Sequence, residues 1–111
     1  MVSLRRLLSV ALVATLACGW VAAAEPEFTL VIKDHRFEPS ELKVPAGQRV
    51  KLIVHNQDKT PEEFESHSLN REKVIPGGAK ASIFIGPLKP GRYSFFGEYN
   101  EKTAQAAVVA E

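Results

Sequence analysis

Glycine and proline interrupt this chain about every ten residues, and the short segments between them constrain the fold more than any other feature. These segments are rich in apolar and β-branched residues, and several alternate apolar with polar side chains, as half-buried strands do. Six of them are predicted strands: residues 28–33, 41–44, 50–55, 81–85, 92–96 and 104–110. About six or seven short strands at this spacing favour an all-β sandwich of two packed sheets. The core between the sheets is expected to contain the apolar strand residues Leu30, Ile32, Leu42, Val50, Leu52, Val54, Ile83, Phe84, Tyr93 and Phe95.

Turn residues separate the predicted strands. Pro45 fixes one backbone angle and Gly47 tolerates a positive one, so residues 45–48 are predicted to form a turn. Residues 86–91 contain two prolines and two glycines and are not expected to be helical. The stretch 56–78 shows no strand pattern and is predicted to be a long loop. Its apolar residues indicate that the loop is ordered; they are Phe64, Leu69, Val74 and Ile75.

The N-terminus has the layout of a secretory signal peptide. Arg5 and Arg6 form a positively charged region, residues 7–21 are mainly apolar, and residues 22–24 offer an Ala-x-Ala cleavage site. A membrane anchor is the weaker alternative, because about 15 apolar residues fall short of the roughly 20 that cross a bilayer. We therefore predict a cleaved signal peptide at residues 1–24 and export to the periplasm.

Cleavage would leave residues 25–111 as one small domain, long enough for a single hydrophobic core. This domain carries 12 basic and 13 acidic residues and no basic run, so nucleic acid is not an expected partner. No segment of it is apolar enough to span a membrane. The chain's one cysteine, Cys18, lies in the removed segment, where lipidation is an alternative role for it. Disulfides, thiolate metal sites and cysteine nucleophiles are thereby excluded from the domain.

Three motifs in the domain together resemble the cupredoxin family. They are Phe37-Glu38-Pro39, the segment 42–47 and the segment 91–95. The resemblance extends over residues 27–110 and rests on the order and spacing of the motifs rather than on one of them. It implies a cupredoxin-like Greek-key β-sandwich.

A second set of motifs is similar to a subgroup of that family. Glu63-Phe64-Glu65 and the segment 71–77 resemble the EfeO-type and FtrB-type cupredoxin-like domains of bacterial periplasmic iron-uptake systems. The resemblance implies that the Glu-x-Glu motif binds iron beside a membrane iron permease and a second periplasmic protein. It also implies a role in oxidising Fe(II), which this domain would fill only with a partner protein or a second metal.

The segment that holds the last copper ligands in blue-copper proteins lacks them here. Gly97 stands where the resemblance places Cys, Asn100 stands where it places the second His, and no Met follows Met1. A blue-copper centre needs a thiolate and two imidazoles, usually with a weak axial thioether. We therefore expect no type 1 copper centre. The further Cys and Met positions of EfeO-type domains match Phe37, Phe95 and Gly97, which are not metal ligands.

Residues 63–67 suggest a different metal chemistry. If this segment is extended, Glu63, Glu65 and His67 share one face, with Phe64 as an anchor on the other. Carboxylates suit hard cations, and imidazole extends the choice to iron, zinc and copper. Carboxylates held this close repel each other, which raises their proton affinity until a cation neutralises them. The alternative is a solvated acidic loop without a metal.

Two more carboxylates complete the predicted site. Glu72 is a third carboxylate by resemblance, although a surface ion pair with Arg71 or Lys73 would also explain it. Glu98 follows Gly97 on the segment that approaches the metal in blue-copper proteins. The predicted ligands are therefore Glu63, Glu65, His67, Glu72 and Glu98, and the expected metal is iron. Copper binding and delivery through His67 and His35, or a metal-free adaptor, are the alternative functions.

Overall fold

The computed structural model describes residues 25–111 and, before them, residue 11 alone. The predicted signal peptide at residues 1–24, its cleavage site and Cys18 therefore lie outside the described residues, and the domain boundary stays a prediction. Within the described part of the chain, no helix has the length and apolar character needed to cross a membrane.

Residues 25–111 form nine β-strands and one 3-10 helix, which confirms the predicted all-β class. The strands are β1 (Glu27–Lys33), β2 (Arg36–Glu38), β3 (Glu41–Val44), β4 (Val50–Asn56), β5 (Glu62–Ser66), β6 (Arg71–Ile75), β7 (Lys80–Ile85), β8 (Gly91–Gly97) and β9 (Gln105–Ala110). The 3-10 helix, Glu98–Asn100, follows β8 directly. The six predicted strands are all present, with bounds that differ by at most one residue at either end.

The strands form two sheets, as the predicted cupredoxin-like sandwich requires. One sheet has four strands in the order β2-β1-β4-β7, and the other has five in the order β3-β9-β8-β5-β6. β1 pairs in parallel with β4, and β3 pairs in parallel with β9, whereas the neighbouring pairs β8–β9, β5–β8 and β5–β6 are antiparallel. Because β5 lies between β6 and β8, the 3-10 helix after β8 comes close to β5.

The core lies between the sheets and contains a cluster of three aromatic rings. Phe64 stacks on Phe95 with ring centroids 4.7 Å apart, and Phe37 meets Phe95 edge to face at 4.9 Å. Such pairs add stability beyond the apolar area that they bury. Most of the predicted core residues are buried here, namely Leu30, Ile32, Leu42, Val50, Leu52, Val54, Ile83 and Phe95.

Two predicted core residues are only partly buried. Phe84 lies on the outer face of β7, because Ile83 takes the inward-facing position and successive strand residues face opposite ways. The Arg49 guanidinium covers the Phe84 ring at 4.5 Å from its centroid. Tyr93 packs against the edge of the core, and its hydroxyl donates a hydrogen bond of 2.8 Å to the Lys89 carbonyl.

The prediction of a long loop at residues 56–78 is wrong, because this stretch contains the antiparallel hairpin β5–β6. Four of the five residues of β5 are polar, so the strand has no apolar alternation to reveal it. The expectation that the stretch is ordered is confirmed. Its anchor Asn56 is buried and donates hydrogen bonds from its amide nitrogen to the carbonyls of Thr60 (2.9 Å) and Ile75 (3.0 Å).

Phe64 in the core and Phe84 on the outer face of β7 give a direct test of this packing. Phe64→Ala should lower the free energy of unfolding by about 3–5 kcal/mol, because it leaves a cavity in the aromatic cluster. Phe84→Ala should cost about 1 kcal/mol, the value of an exposed cation–π contact. Urea unfolding of both variants measures the difference, and equal losses would contradict the described orientation of β5 and β7.

Candidate metal centre

Strand β5 presents two carboxylates on the outer face of the five-stranded sheet. Phe64 points into the core and is fully buried, so Glu63 and Glu65 on either side of it point outward together. Glu63 is nevertheless only 7% exposed, and Glu65 is partly buried. The outward face of β5 is therefore an acidic surface that is largely shielded from water.

Glu72 and Glu98 reach the same place from two other elements. Glu72 lies on β6 directly opposite Glu65 in the strand register. Glu98 begins the 3-10 helix after β8, the strand that pairs with β5 on its other side. Each of the four residues offers one carboxylate oxygen, and these oxygens all lie within 4.8 Å of one another. We call Glu63, Glu65, Glu72 and Glu98 the carboxylate cluster.

The crowding within the carboxylate cluster changes the proton affinity of its members. Hydrogen bonding to Glu72, partial burial and hydrogen bonding to Glu98 raise the pKa of Glu63 to about 7. Hydrogen bonding to Glu98, with partial burial, also raises the pKa of Glu65. The pKa of Glu98 is lowered because it accepts these shared protons from Glu65 and Glu63. The cluster thus holds protons near neutral pH that isolated carboxylates would have released.

One oxygen of the cluster has no hydrogen-bond partner. Glu65 Oε2 is enclosed, and no donor among the described residues satisfies it. A buried acceptor without a partner is costly, and an ion or a water molecule can supply the partner. A cation between the four carboxylates would satisfy this oxygen and cancel the like-charge repulsion, so the residues present fit a hard metal ion.

The structure brings together four of the five predicted ligands. His67 lies just after the end of β5, is exposed, and belongs to no group of converging ligand atoms among the described residues. Its ring is 5.8 Å from that of Phe96. It lines one cavity with Glu65 and Glu72, and its charge only partly offsets the rise in the pKa of Glu65 that hydrogen bonding to Glu98 causes. His35 lies in the turn between β1 and β2, where its backbone N–H donates to Asp58 at 3.0 Å.

Sequence reasoning missed Glu62, the residue before the Glu-x-Glu motif. Its side chain is 1% exposed and faces inward, opposite to Glu63. Its carboxylate accepts hydrogen bonds from the backbone N–H of Glu63 and Tyr99 and from the Asn100 side chain. No single-sequence signal distinguishes it, because an acidic residue in an acidic segment is expected to be solvated.

Gly97 stands at the position that the family resemblance matches to the copper-ligating cysteine, and the Glu62 side chain packs against it. A Cβ atom added at Gly97 would lie 2.6 Å from the Glu62 carboxyl carbon and 2.7 Å from the Ala104 Cβ. Any side chain at this position, a thiolate included, would have to displace Glu62. Because residues 25–111 contain neither Cys nor Met, they do not fit a type 1 copper ion.

Comparison with solved structures finds the same fold in proteins that bind copper. Auracyanin A, a blue copper protein from Chloroflexus aurantiacus, superposes with a TM-score of 0.69 at 14% identity, over 79% of this chain and 100% of that one. The metal-binding domain of the Cu(I)-exporting P-type ATPase CopA from Streptococcus pneumoniae D39 gives 0.65 at 13% identity, over 77% and 84% of the chains. At this identity, the similarity concerns the fold alone.

The sequence itself gives the family. The chain belongs to the cupredoxin-like domain family, whose model matches residues 6–110. It is also 45% identical over 83 residues to the uncharacterized protein RP394 of Rickettsia prowazekii (strain Madrid E). That match covers 75% of this chain and 66% of the relative, so the chain spans slightly less than two thirds of the relative's length.

The raised proton affinity of the cluster predicts how stability depends on pH. Glu63 has a folded-state pKa of about 7 against an ordinary value of 4.5, so between these values the folded state binds a proton that the unfolded state has lost. The metal-free protein should therefore become less stable as pH rises from 5 to 8. Glu98, whose pKa is lowered, acts in a separate window at lower pH.

Urea midpoints measured between about pH 5 and 8 test this dependence. Glu63→Gln should flatten the decline, whereas Glu38→Gln, an exposed carboxylate on β2, should leave it unchanged. A decline of the same size in Glu63→Gln would show that Glu63 does not hold the proton.

Proposed function

We propose that this protein is a periplasmic iron carrier that binds Fe(II), or Fe(III) after oxidation, in the carboxylate cluster. The main support is the convergence of four carboxylates, one of which, Glu65, has an enclosed oxygen with no hydrogen-bond partner among the described residues. His67 is the proposed fifth donor, because it lines the same cavity as Glu65 and Glu72. The resemblance to EfeO-type and FtrB-type domains supports the choice of iron.

The chemistry of the donors supports a hard cation. All four converging atoms are carboxylate oxygens, which suit hard metal ions better than the thiolates and thioethers that hold Cu(I). Four carboxylates also supply more negative charge than a divalent or trivalent cation needs. The excess negative charge favours capture of the more highly charged ion. The protons that Glu63 and Glu65 hold in hydrogen bonds with Glu72 and Glu98 are released as the metal enters.

The exposure of the ligands supports a carrier rather than a permanent metal site. Glu63 is buried on a rigid strand, whereas Glu72 and Glu98 are exposed at the outer side of the cluster. A cation held between them can be reached from solvent or from a docked protein. We therefore propose that iron passes from this site to a membrane iron permease, with a second periplasmic protein of the same uptake system as partner.

No oxidation step is assigned to the domain by itself. Oxidation of Fe(II) releases an electron that must pass to an acceptor, and the cluster contains only carboxylates. In this proposal the electron goes to a second metal or to the partner protein. The carboxylates bind the ion. They hold Fe(III) more tightly than Fe(II), because their negative charges attract the more highly charged cation more strongly.

Copper binding and delivery is the second candidate function. It is favoured by the copper proteins among the structural neighbours and by the position of His67, which lines one cavity with Glu65 and Glu72. Cu(II) binds most nitrogen and oxygen sites more tightly than other divalent ions of the first row, so simple affinity does not separate the two functions. A competition at limiting copper, followed by analysis of the bound metal, does.

Iron binding by the cluster is tested by anaerobic calorimetric titration of residues 25–111 with Fe(II). The variant Glu63→Gln with Glu65→Gln should lose at least about 100-fold in affinity for Fe(II). Loss of a single outer-shell group already costs about 10–100-fold, and direct ligands contribute more. Both substitutions keep the size of the side chain, so the fold and its urea midpoint in metal-free buffer should be retained or improved.

Glu38→Gln is the matched control, since Glu38 is exposed on β2 in the other sheet. It should bind Fe(II) as the wild type does. Equal binding by the double variant would refute the site, and a wild type that binds copper but no iron under competition would favour the second function. A wild type that binds neither metal would support the metal-free adaptor.

A further inference from the structure

Glu62 is a buried carboxylate that the proposed metal site does not use as a ligand. It lies on β5 with its side chain 1% exposed, on the opposite face to Glu63. Burying a carboxylate is costly unless hydrogen bonds replace its hydration. Glu62 has three: from the Glu63 N–H at 3.0 Å, the Tyr99 N–H at 2.9 Å and the Asn100 Nδ2 at 2.7 Å.

These three hydrogen bonds connect the two elements that carry the metal ligands. The Glu63 N–H belongs to β5, whereas the Tyr99 N–H and the Asn100 amide belong to the 3-10 helix that begins at Glu98. The residue before that helix, Gly97, provides no side-chain cap for it. Oxygens of Glu62 take the place of the missing cap, so the backbone that carries Glu98 is fixed to the strand that carries Glu63 and Glu65.

The space around Gly97 reinforces this connection. A Cβ atom at Gly97 would lie 2.8 Å from Glu62 Oε2 and 2.7 Å from the Ala104 Cβ, so the carboxylate packs directly against the backbone that precedes Glu98. The Gly97 N–H also donates to the Ala104 carbonyl at 2.8 Å. The start of the 3-10 helix is therefore held between Ala104, the residue before β9, and the Glu62 side chain.

We propose that Glu62 is a positioning residue that sets the approach of Glu98 to the metal. The inference rests on the proposed function, because it assumes that the carboxylate cluster binds a cation. Glu62 contacts Gly97 and Tyr99, the residues on either side of Glu98, and is not itself a ligand of the ion. Outer-shell groups of this kind orient metal ligands and contribute to affinity through them.

Glu62→Gln is the informative substitution. It keeps the size of the side chain but replaces one acceptor oxygen by an NH2 group, which faces a donor and repels it. Fe(II) affinity under anaerobic conditions should fall by about 10- to 100-fold, as for other outer-shell groups. A loss of affinity alone would also follow from general damage to the fold, so the effect is measured in two further backgrounds.

In the Glu98→Gln background, Glu62→Gln should cause no further loss of affinity, because the ligand that it positions is already removed. In the Glu72→Gln background the full loss should recur, because Glu72 lies on β6 and makes no hydrogen bond with Glu62 among the described residues. The cycle is repeated with Tb(III), whose higher charge keeps weakened variants measurable. Urea unfolding of each variant monitors the fold.

The outcomes separate this inference from the proposed function. A wild type that binds neither ion overturns both. A wild type that binds while Glu62→Gln has no effect, or has the same effect in all three backgrounds, overturns the positioning role and leaves the carrier function standing. A loss of metal affinity on Glu62→Gln that occurs in the wild type and in the Glu72→Gln background, but not in the Glu98→Gln background, supports the inference.

Discussion

The candidate site depends on the packing of one side chain, Phe64. Its ring stacks on Phe95 and contacts Phe37 edge to face, which fixes the orientation of β5 in the sandwich. Because strand residues alternate in direction, an inward Phe64 forces Glu63 and Glu65 outward on the same side. The hydrophobic energy of the aromatic cluster thereby holds together two carboxylates that would otherwise move apart.

The same alternation gives β5 two acidic functions on two faces. On the outer face Glu63 and Glu65 meet Glu72 and Glu98, and their oxygens converge without donors to satisfy all of them. On the inner face Glu62 is fully satisfied by three donors. A satisfied buried carboxylate stabilises local structure, whereas a crowded and unsatisfied group of carboxylates favours a cation.

The family comparison places this arrangement in a fold whose solved neighbours include copper proteins. In this chain a carboxylate takes the space beside Gly97 in which a cysteine side chain would lie. The cluster, on the outer surface of the five-stranded sheet, offers only oxygen ligands. A change from sulfur and nitrogen to oxygen ligands is a change from soft to hard metal preference, which is the physical basis of the iron proposal.

Sequence reasoning predicted the fold class and six strands, because alternation and turn residues are local signals. It missed the hairpin β5–β6, since Glu62, Glu63, Glu65 and Ser66 give that strand no apolar alternation. The convergence of Glu72 with Glu65 depends on strand register, which is a property of the folded chain. His67 falls outside the cluster because β5 ends at Ser66. The Ser66 hydroxyl donates a hydrogen bond to the Ser94 carbonyl and accepts one from the Leu69 N–H.

Whether iron binds in the carboxylate cluster can be tested by anomalous X-ray diffraction from crystals of residues 25–111 grown anaerobically with Fe(II). Data collected on both sides of the iron absorption edge locate the metal independently of any assumption about its ligands. We expect one strong anomalous peak between the carboxylates of Glu63, Glu65, Glu72 and Glu98. A peak at His35 or elsewhere away from these carboxylates, or no peak in crystals that contain iron in solution, would contradict it.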